Sequence, residues 1–469
     1  MKILYYNWDR IDGHTGGGVT VYQRNLLAEM SKRDDVELYF MNSGFLYDNK
    51  GLRVMKTENS FGERVQSYEI VNSPVLAPVQ QSCKNLSIYL SDTKIVSIFR
   101  EFIKERGPFA VIHFNNLEGL SLNVLHLKRE FPQTMFVYSV HNYFPVCSRV
   151  NLWKDEMIGK GHNCDKKNYT ECISCYRKTK YASQIIRRKT ETLNIFQKKV
   201  FRVIAKCQEK IFPDSENVNI YQQFEEKTIH SLNENVDVIL AVSARVKEIM
   251  VSHGIDGNKI KTSYIGTKVA EQVLNKCAFN PYSDVLQIIY MGYMNREKGF
   301  YFFLDALEKM PDKMANSISV KVVARHDKKQ KSQEVERLKR LETKFKKIEL
   351  INGYTAVNQK ELLADVNLGI VPVQWEDNLP QVAIEQIAYG VPILVSDLGG
   401  AREIVKDENF IFHATDTCEF IKKLSAIQNN RQYLNAFWNV ERRLVTMQEH
   451  INELLNTYGI IEKKLTANE

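Results

Sequence analysis

The chain has 469 residues, 44% of them hydrophobic and 10% aromatic, and carries a formal net charge of +8 at pH 7. That length is more than one hydrophobic core organises and predicts two or three domains of ordinary globular composition. No apolar run reaches the roughly 18–20 residues of a membrane span, and the opening Met1-Lys2-Ile3-Leu4-Tyr5-Tyr6 reads as a strand rather than a secretory signal. The expectation is therefore a cytoplasmic protein whose eight cysteines are reduced. Its basic balance fits either a lysine-rich solvated surface or attraction to an anionic ligand or membrane face.

In chain order, a buried strand over 2–8 runs into a loop holding Gly16-Gly17-Gly18, then a helix with Val21, Leu26, Leu27 and Met30 on one face. Glycine lets the backbone approach a phosphate, and a following helix N-terminus favours an anion. The loop has neither Walker nor dinucleotide spacing. A strand follows over 36–41. Residues 42–95 read as irregular, with a helix over 95–106. Strands over 108–114 and 134–140 end at His113, Asn115 and Asn116, and at His141, Asn142 and Tyr143. Two strands ending in histidine with polar neighbours suggest one shared mouth, with His113, Asn115 and Tyr143 on the acceptor side. A capped strand end remains the alternative for His113.

Residues 145–235 read as an insertion. Four of its thiols, Cys147, Cys164, Cys172 and Cys175, include one Cys-x-x-Cys pair and would suit a structural zinc, although the spacing is not that of a standard finger. A basic, amphipathic stretch follows, from Arg177 to Lys210, opposed only by Glu191 and Glu209. It reads either as a membrane-surface element or as a solvated helical face. No nucleic-acid-binding motif accompanies the charge.

Further strands are expected over 236–242 and 261–265, with Ser243 capping a helix over 244–253. The first domain then ends near residue 275. The second opens with a strand over 286–291, the loop Gly292-Tyr293-Met294-Asn295-Arg296-Glu297-Lys298-Gly299 and a helix over 300–310. A cation beside a glycine at a strand's carboxyl end would neutralise a diphosphate. Strands over 320–324, 349–351 and 368–372 follow, the first leading to Arg325 and the second to Asn352-Gly353-Tyr354. Next come the acidic loop Glu376-Asp377-Asn378-Leu379-Pro380, a helix over 381–389 that stops at Gly390, and a buried strand over 392–396. Asp377 precedes the helix and Glu385 lies eight positions on, two acids suited to sugar and ribose hydroxyls beside an anion site. Helices over 417–427 and 431–465 close the chain.

These motifs resemble retaining glycosyltransferases of GT-B type, family 4. The family's acid–seven residues–Glu pattern appears as Asp377…Glu385, followed by Ala388-Tyr389-Gly390-Val391-Pro392 and Asp397-Leu398-Gly399-Gly400-Ala401-Arg402-Glu403. The glycine loop at 16–18, the Ser139-Val140-His141-Asn142-Tyr143 run and Lys298-Gly299 also match. The sequence departs twice: Asp377 stands where the family usually has Glu, and Tyr293 occupies its Arg position.

The resemblance implies an α/β fold of two Rossmann-like domains facing across a cleft: 1–275 on the acceptor side, 284–430 binding nucleotide-sugar, and 431–469 a helix crossing back. It implies transfer of a sugar from a UDP- or GDP-linked donor to a glycan or lipid-linked acceptor in surface-polysaccharide assembly, without a catalytic metal. Lys298, aided by Arg296 or Arg325, would neutralise the leaving diphosphate. Asp377 would hold donor-sugar hydroxyls, Glu385 the ribose, and His141 the sugar at the reaction centre. Gly17, Gly18, Gly292, Gly353, Tyr354, Asn378, Leu379 and Pro380 would frame the donor. The alternative is a catalytically impaired subunit that binds a glycan or a partner. A phosphorylase-type enzyme is a weaker reading, because no lysine-rich pyridoxal-binding segment is apparent.

Overall fold

The computed structural model describes residues 1–13, 17–78, 83–155, 161–164, 168–175, 200, 203, 219–272, 284–326, 333–355, 357–442 and 444–459. Gly16, nearly all of the basic stretch 177–210, the linker 275–283 and the last ten residues lie outside the described residues. Sixteen strands are named in chain order: β1 (Lys2–Tyr6), β2 (Glu37–Ser43), β3 (Arg53–Thr57), β4 (Val65–Val71), β5 (Val111–Phe114), β6 (Met135–Val140), β7 (Trp153–Asp155), β8 (Gly161–Asn163), β9 (Val238–Ala241), β10 (Ile260–Thr262), β11 (Leu286–Met291), β12 (Ile318–Val323), β13 (Lys347–Ile351), β14 (Leu368–Val371), β15 (Ile393–Ser396) and β16 (Ile411–Phe412).

The chain divides into two compact units. The first comprises Met1–Leu152, Asp165–Ile265 and Met447–Glu469; the second comprises Trp153–Cys164 and Gly266–Thr446. The first holds an eight-stranded sheet of order β10-β9-β6-β5-β1-β2-β4-β3, parallel except where β3 meets β4. Ile3, Leu4, Tyr5 and Tyr6 in β1 are fully buried, as a strand covered on both faces requires. The chain leaves β1 towards β2 on one side and later returns to β5 on the other, so the sheet's switch point lies between β1 and β5.

The second unit has a six-stranded sheet of order β13-β12-β11-β14-β15-β16, all parallel, with its switch point between β11 and β14. The strand order reverses at that point, and open α/β sheets form a crevice there, beyond the carboxyl ends of the strands. Gly299 fixes how closely the two loops there approach. Its φ is +76°, and a Cβ on it would lie 1.7 Å from the Pro372 carbonyl oxygen.

Several expectations need correction. Residues 42–95 are not irregular: they supply β3, β4 and the helix Cys83–Ser91. The insertion does not run to 235, because the helix Asn219–Asn235 buries Ile220, Tyr221, Phe224, Thr228 and Leu232 in the first unit's core. The hairpin β7–β8 belongs to the second unit, where Asn163 Nδ2 donates to the Gln374 carbonyl at 3.1 Å. The single closing helix is broken. Gln432–Ala436 runs into a 3-10 turn, Phe437–Asn439, and a new helix begins at Met447. Phe437 sets the break by packing edge-on against Phe410 at 4.8 Å, and Arg442 Nη2 then donates to the Val405 carbonyl at 2.6 Å.

Candidate functional site

In the second unit the loops flanking the switch point carry the charged residues. Tyr290, buried in β11, reaches past its strand and its hydroxyl donates to the Tyr293 carbonyl at 2.7 Å. Asn295 Oδ1 accepts from the Lys298 backbone N–H at 3.1 Å. The Gly292–Gly299 loop is thereby folded so that Lys298 leaves it towards the end of β14. There its Nζ meets Asp377 Oδ2 at 2.5 Å and lies 5.0 Å from the centre of the Trp375 ring. Lys298 keeps 31% of its side chain exposed against 8% for Asp377. The cation therefore faces solvent, and the acid is the buried partner that aims it.

The acidic loop is pinned from behind. Glu376 Oε2 accepts from the Gly399 N–H at 2.9 Å, and the Asp377 carbonyl accepts from Gly400 N–H at 2.9 Å. Gly399 has φ +67°, and a Cβ there would come within 2.2 Å of the Asp377 carbonyl oxygen. The two adjacent acids thus divide their work: Glu376 ties the turn after β15, and Asp377 meets the lysine. Asn378 and Leu379 are 5% and 7% exposed, and Asn378 Nδ2 is enclosed without a partner. Pro380 is buried and precedes the helix Gln381–Ala388.

Glu385 sits on that helix, and its Oε2 accepts from the Tyr354 hydroxyl at 2.9 Å. Burial pushes the Glu385 carboxyl above the usual range, and the bond from Tyr354 opposes that rise. Tyr354 follows β13 and Gly353, whose φ is +70°. Burial and the nearby carboxylate raise the Tyr354 hydroxyl far above its ordinary value. Gly292 ends β11 with φ +150°. Lys298, Asp377, Glu385, Tyr354, Gly292 and Gly353 thus all belong to the carboxyl ends of this sheet or to the helix after β14.

The other basic candidates differ. The Arg296 guanidinium lies over the Tyr301 ring at 5.3 Å, with Nη1 enclosed and unpartnered. Arg325 is exposed beyond β12, its Cγ packed where a Gly353 side chain would begin. Tyr293 is 57% exposed.

In the first unit, Gly17 and Gly18 open the helix Gly17–Met30 beside the β1–β5 switch point, Gly17 with φ +60°. The loop before them is braced by Thr20, whose hydroxyl donates to Asp9 Oδ2 at 2.7 Å, and by Arg24, which donates to the Ile11 and Gly13 carbonyls. His141 Nε2 lies 3.1 Å from Asn115 Oδ1, and its ring packs 4.9 Å from that of Tyr22. Burial, with His450 nearby, pushes the His141 imidazole down to about 3, so it stays neutral.

His113 does not belong to a mouth. It is fully buried, its Nδ1 bonds the Tyr458 hydroxyl at 2.6 Å and its Nε2 the Ser139 hydroxyl at 2.7 Å, which leaves no nitrogen for an acceptor. Tyr143 is likewise wholly buried, and Asn115 presents only its link to His141. What sequence reasoning missed is the partner of these groups. Tyr22 bonds His450 at 2.6 Å and Tyr5 approaches Tyr458 at 3.2 Å. The helix Met447–Thr457 and the residue after it are thus tied to the helix Gly17–Met30, β1 and β5. No local signal marks this, because the partners lie more than 300 residues apart in sequence.

Of the four cysteines in the insertion, Cys147, Cys172 and Cys175 belong to the first unit and Cys164 to the second. Among the described residues no group of three or more His, Cys, Asp or Glu could hold a metal ion.

Residues 286–430 match the family described as Glycosyl transferases group 1. Over 186 residues the chain is 26% identical to an uncharacterized 41.2 kDa protein in the cps region of Klebsiella pneumoniae, a match covering 38% of this chain and 47% of that protein. Over 198 residues it is 24% identical to TuaC of Bacillus subtilis, named for teichuronic acid biosynthesis, covering 40% and 46%. The chain thus spans about half the length of the curated relatives it matches. The structure resembles that of Anabaena HepE, solved in complex with UDP, with a TM-score of 0.56, 13% identity and full coverage of both chains. Its fold is that of the GT-B glycosyltransferases. Within this GT-B chain the group 1 match spans the whole second sheet, including Lys298, Tyr354, Asp377 and Glu385.

Proposed function

We propose that the protein is a retaining, family 4 glycosyltransferase that moves a sugar, of hexosyl type, from a nucleotide diphosphate to a glycan or lipid-linked acceptor in surface-polysaccharide assembly. The observation that carries this reading is the Lys298–Asp377 pair at the β11–β14 switch point, with Glu385 on the helix that follows. An incoming diphosphate competes with Asp377 for the Lys298 ammonium. The lysine then neutralises charge that grows on the leaving group, and the released carboxylate accepts from sugar hydroxyls. Arg325, exposed at the end of β12, is the second cation available to the phosphates. Glu385 and Tyr354 hold the nucleoside, the carboxylate accepting from ribose hydroxyls.

In the reaction the bond from the sugar's anomeric carbon to the diphosphate oxygen breaks. A bond to the acceptor oxygen forms on the same face, and the acceptor's proton passes to the leaving phosphate. No step requires a metal. The neutral His141 would contact the sugar at the reaction centre, with Gly17 and Gly18 on the phosphate and acceptor side. The kinship with proteins of a cps region and of teichuronic acid biosynthesis supports the acceptor class. HepE, solved with UDP, supports a uridine donor. Among the described residues no helix is long and apolar enough to cross a membrane. In this reading a lipid-linked acceptor is met at the cytoplasmic bilayer surface.

The test is release of nucleoside diphosphate from a set of UDP- and GDP-sugars with an acceptor extract. The reading predicts turnover that Lys298→Ala lowers by about 10²–10³-fold. Absence of release with every donor, together with unaltered nucleotide binding in Lys298→Ala, would establish the catalytically impaired, binding-only alternative.

A further inference from the structure

The second unit has a polar cleft at the other end of its sheet. It is lined by Asp284, Lys313, Ser425, Asn430, Arg431 and Gln432 among others, with a volume of about 820 Å³. Asp284 precedes β11 and Ser317, also in the lining, precedes β12, so the cleft lies at the amino ends of these strands. β11 has six residues, which separates the cleft from the Gly292–Gly299 loop by roughly 20 Å at about 3.3 Å per residue. This is not the nucleotide end of the unit.

Arg431 is the residue that makes the cleft unusual. It is only 9% exposed. Its Nε donates to the Gln428 carbonyl at 3.1 Å, while Nη1 is enclosed without an acceptor. No carboxylate among the described residues pairs with it, and burial lowers its pKa. A buried guanidinium without a counter-charge is costly, and one helix-end carbonyl offsets only part of that cost. Lys313, exposed at the rim, also lacks an ion-pair partner among the described residues. The neighbouring acid Asp312 is turned to Lys344 instead. Among the described residues of the lining, Asp284 is the one carboxylate. Gln428 is held away from the guanidinium by bonds to the Met314 carbonyl and the Ser317 hydroxyl. A guanidinium fork, an ammonium and side-chain amides in one open, polar space match an oxyanion on a hydrophilic molecule.

We infer that this cleft is a second ligand site, separate from the donor site, that binds a phosphate or carboxylate carried on a sugar. Arg431 grips the oxyanion, Lys313 supplies the second positive charge, and the amides of Asn430 and Gln432 meet hydroxyls. Two sources share this chemistry: a free sugar phosphate and a uronic acid unit of an acidic glycan.

Calorimetric titration of the full chain separates them, with glucose 1-phosphate in one arm and glucuronate in the other. Both are run in Lys298→Ala protein, so that the donor site does not contribute. The expected result is saturable binding of at least one of the two, weakened tenfold or more by Arg431→Gln and by Lys313→Ala. The arm that binds names the source. Lys313 is exposed, so its variant decides the matter if Arg431→Gln fails to fold. No saturable binding of either compound at millimolar concentration, or binding that Lys313→Ala leaves unchanged, overturns the assignment.

Discussion

In the proposed reaction a diphosphate replaces Asp377 in its pair with Lys298. On that proposal, removing the cation removes charge stabilisation that grows with bond breaking, so Lys298→Ala should lower kcat by about 10²–10³-fold. Asp377→Asn should free the ammonium for phosphate while costing sugar contacts. Nucleoside diphosphate should then bind no more weakly, while turnover falls; steady-state kinetics beside titration reads both. Glu385 has a raised carboxyl pKa in the folded chain. The folded state therefore holds its proton to higher pH than the unfolded one. The resulting stabilisation is present in acid and lost as pH rises from the ordinary glutamate range through the raised value. Glu385→Gln should accordingly leave the ligand-free melting temperature at pH 7 unchanged or higher, while weakening nucleotide binding. A fall in melting temperature without loss of binding would assign Glu385 to the fold instead.

At the scale of elements, close backbone approaches set the site. Gly299 combines a left-handed φ with a carbonyl 1.7 Å from any added Cβ. Gly299→Ala should destabilise by at least about 2 kcal/mol, seen as a lower denaturant midpoint. The closing helix hangs on hydroxyl–imidazole bonds. Tyr458→Phe leaves the buried His113 Nδ1 without its partner and should cost about 1–3 kcal/mol. Buried parallel strands such as β11 and β14 were legible because an apolar run between glycine and polar residues has few other readings. β3 was not, since Arg53-Val54-Met55-Lys56-Thr57 is a half-exposed edge strand with polar residues on both faces. The helix break at 437 has no glycine or proline to announce it; a phenylalanine that found Phe410 in space decided it.

For the whole molecule, neutral buried histidines tie distant parts of the chain. Burial holds His141 and His450 down to about 3 and about 4, and His113 also well below its usual value. Their stabilisation is complete above the unfolded histidine pKa of about 6.5 and is lost as pH falls through the folded values. Acid melts should therefore steepen below that point, and less steeply in His450→Gln. The site itself was half legible. The stretches that hold Lys298, Asp377 and Glu385 could be marked out from their spacing in the sequence. The pairing of Lys298 with Asp377, the work of Glu376 at Gly399 and the burial of His113 depended on where loops far apart in sequence came to rest. Titration of UDP and GDP into the full chain, against Lys298→Ala, tests the central claim most directly. Saturable binding of one nucleotide, weakened at least tenfold in a variant that melts like the parent, is the predicted result. Failure of both to bind, or equal binding to parent and variant, would contradict it.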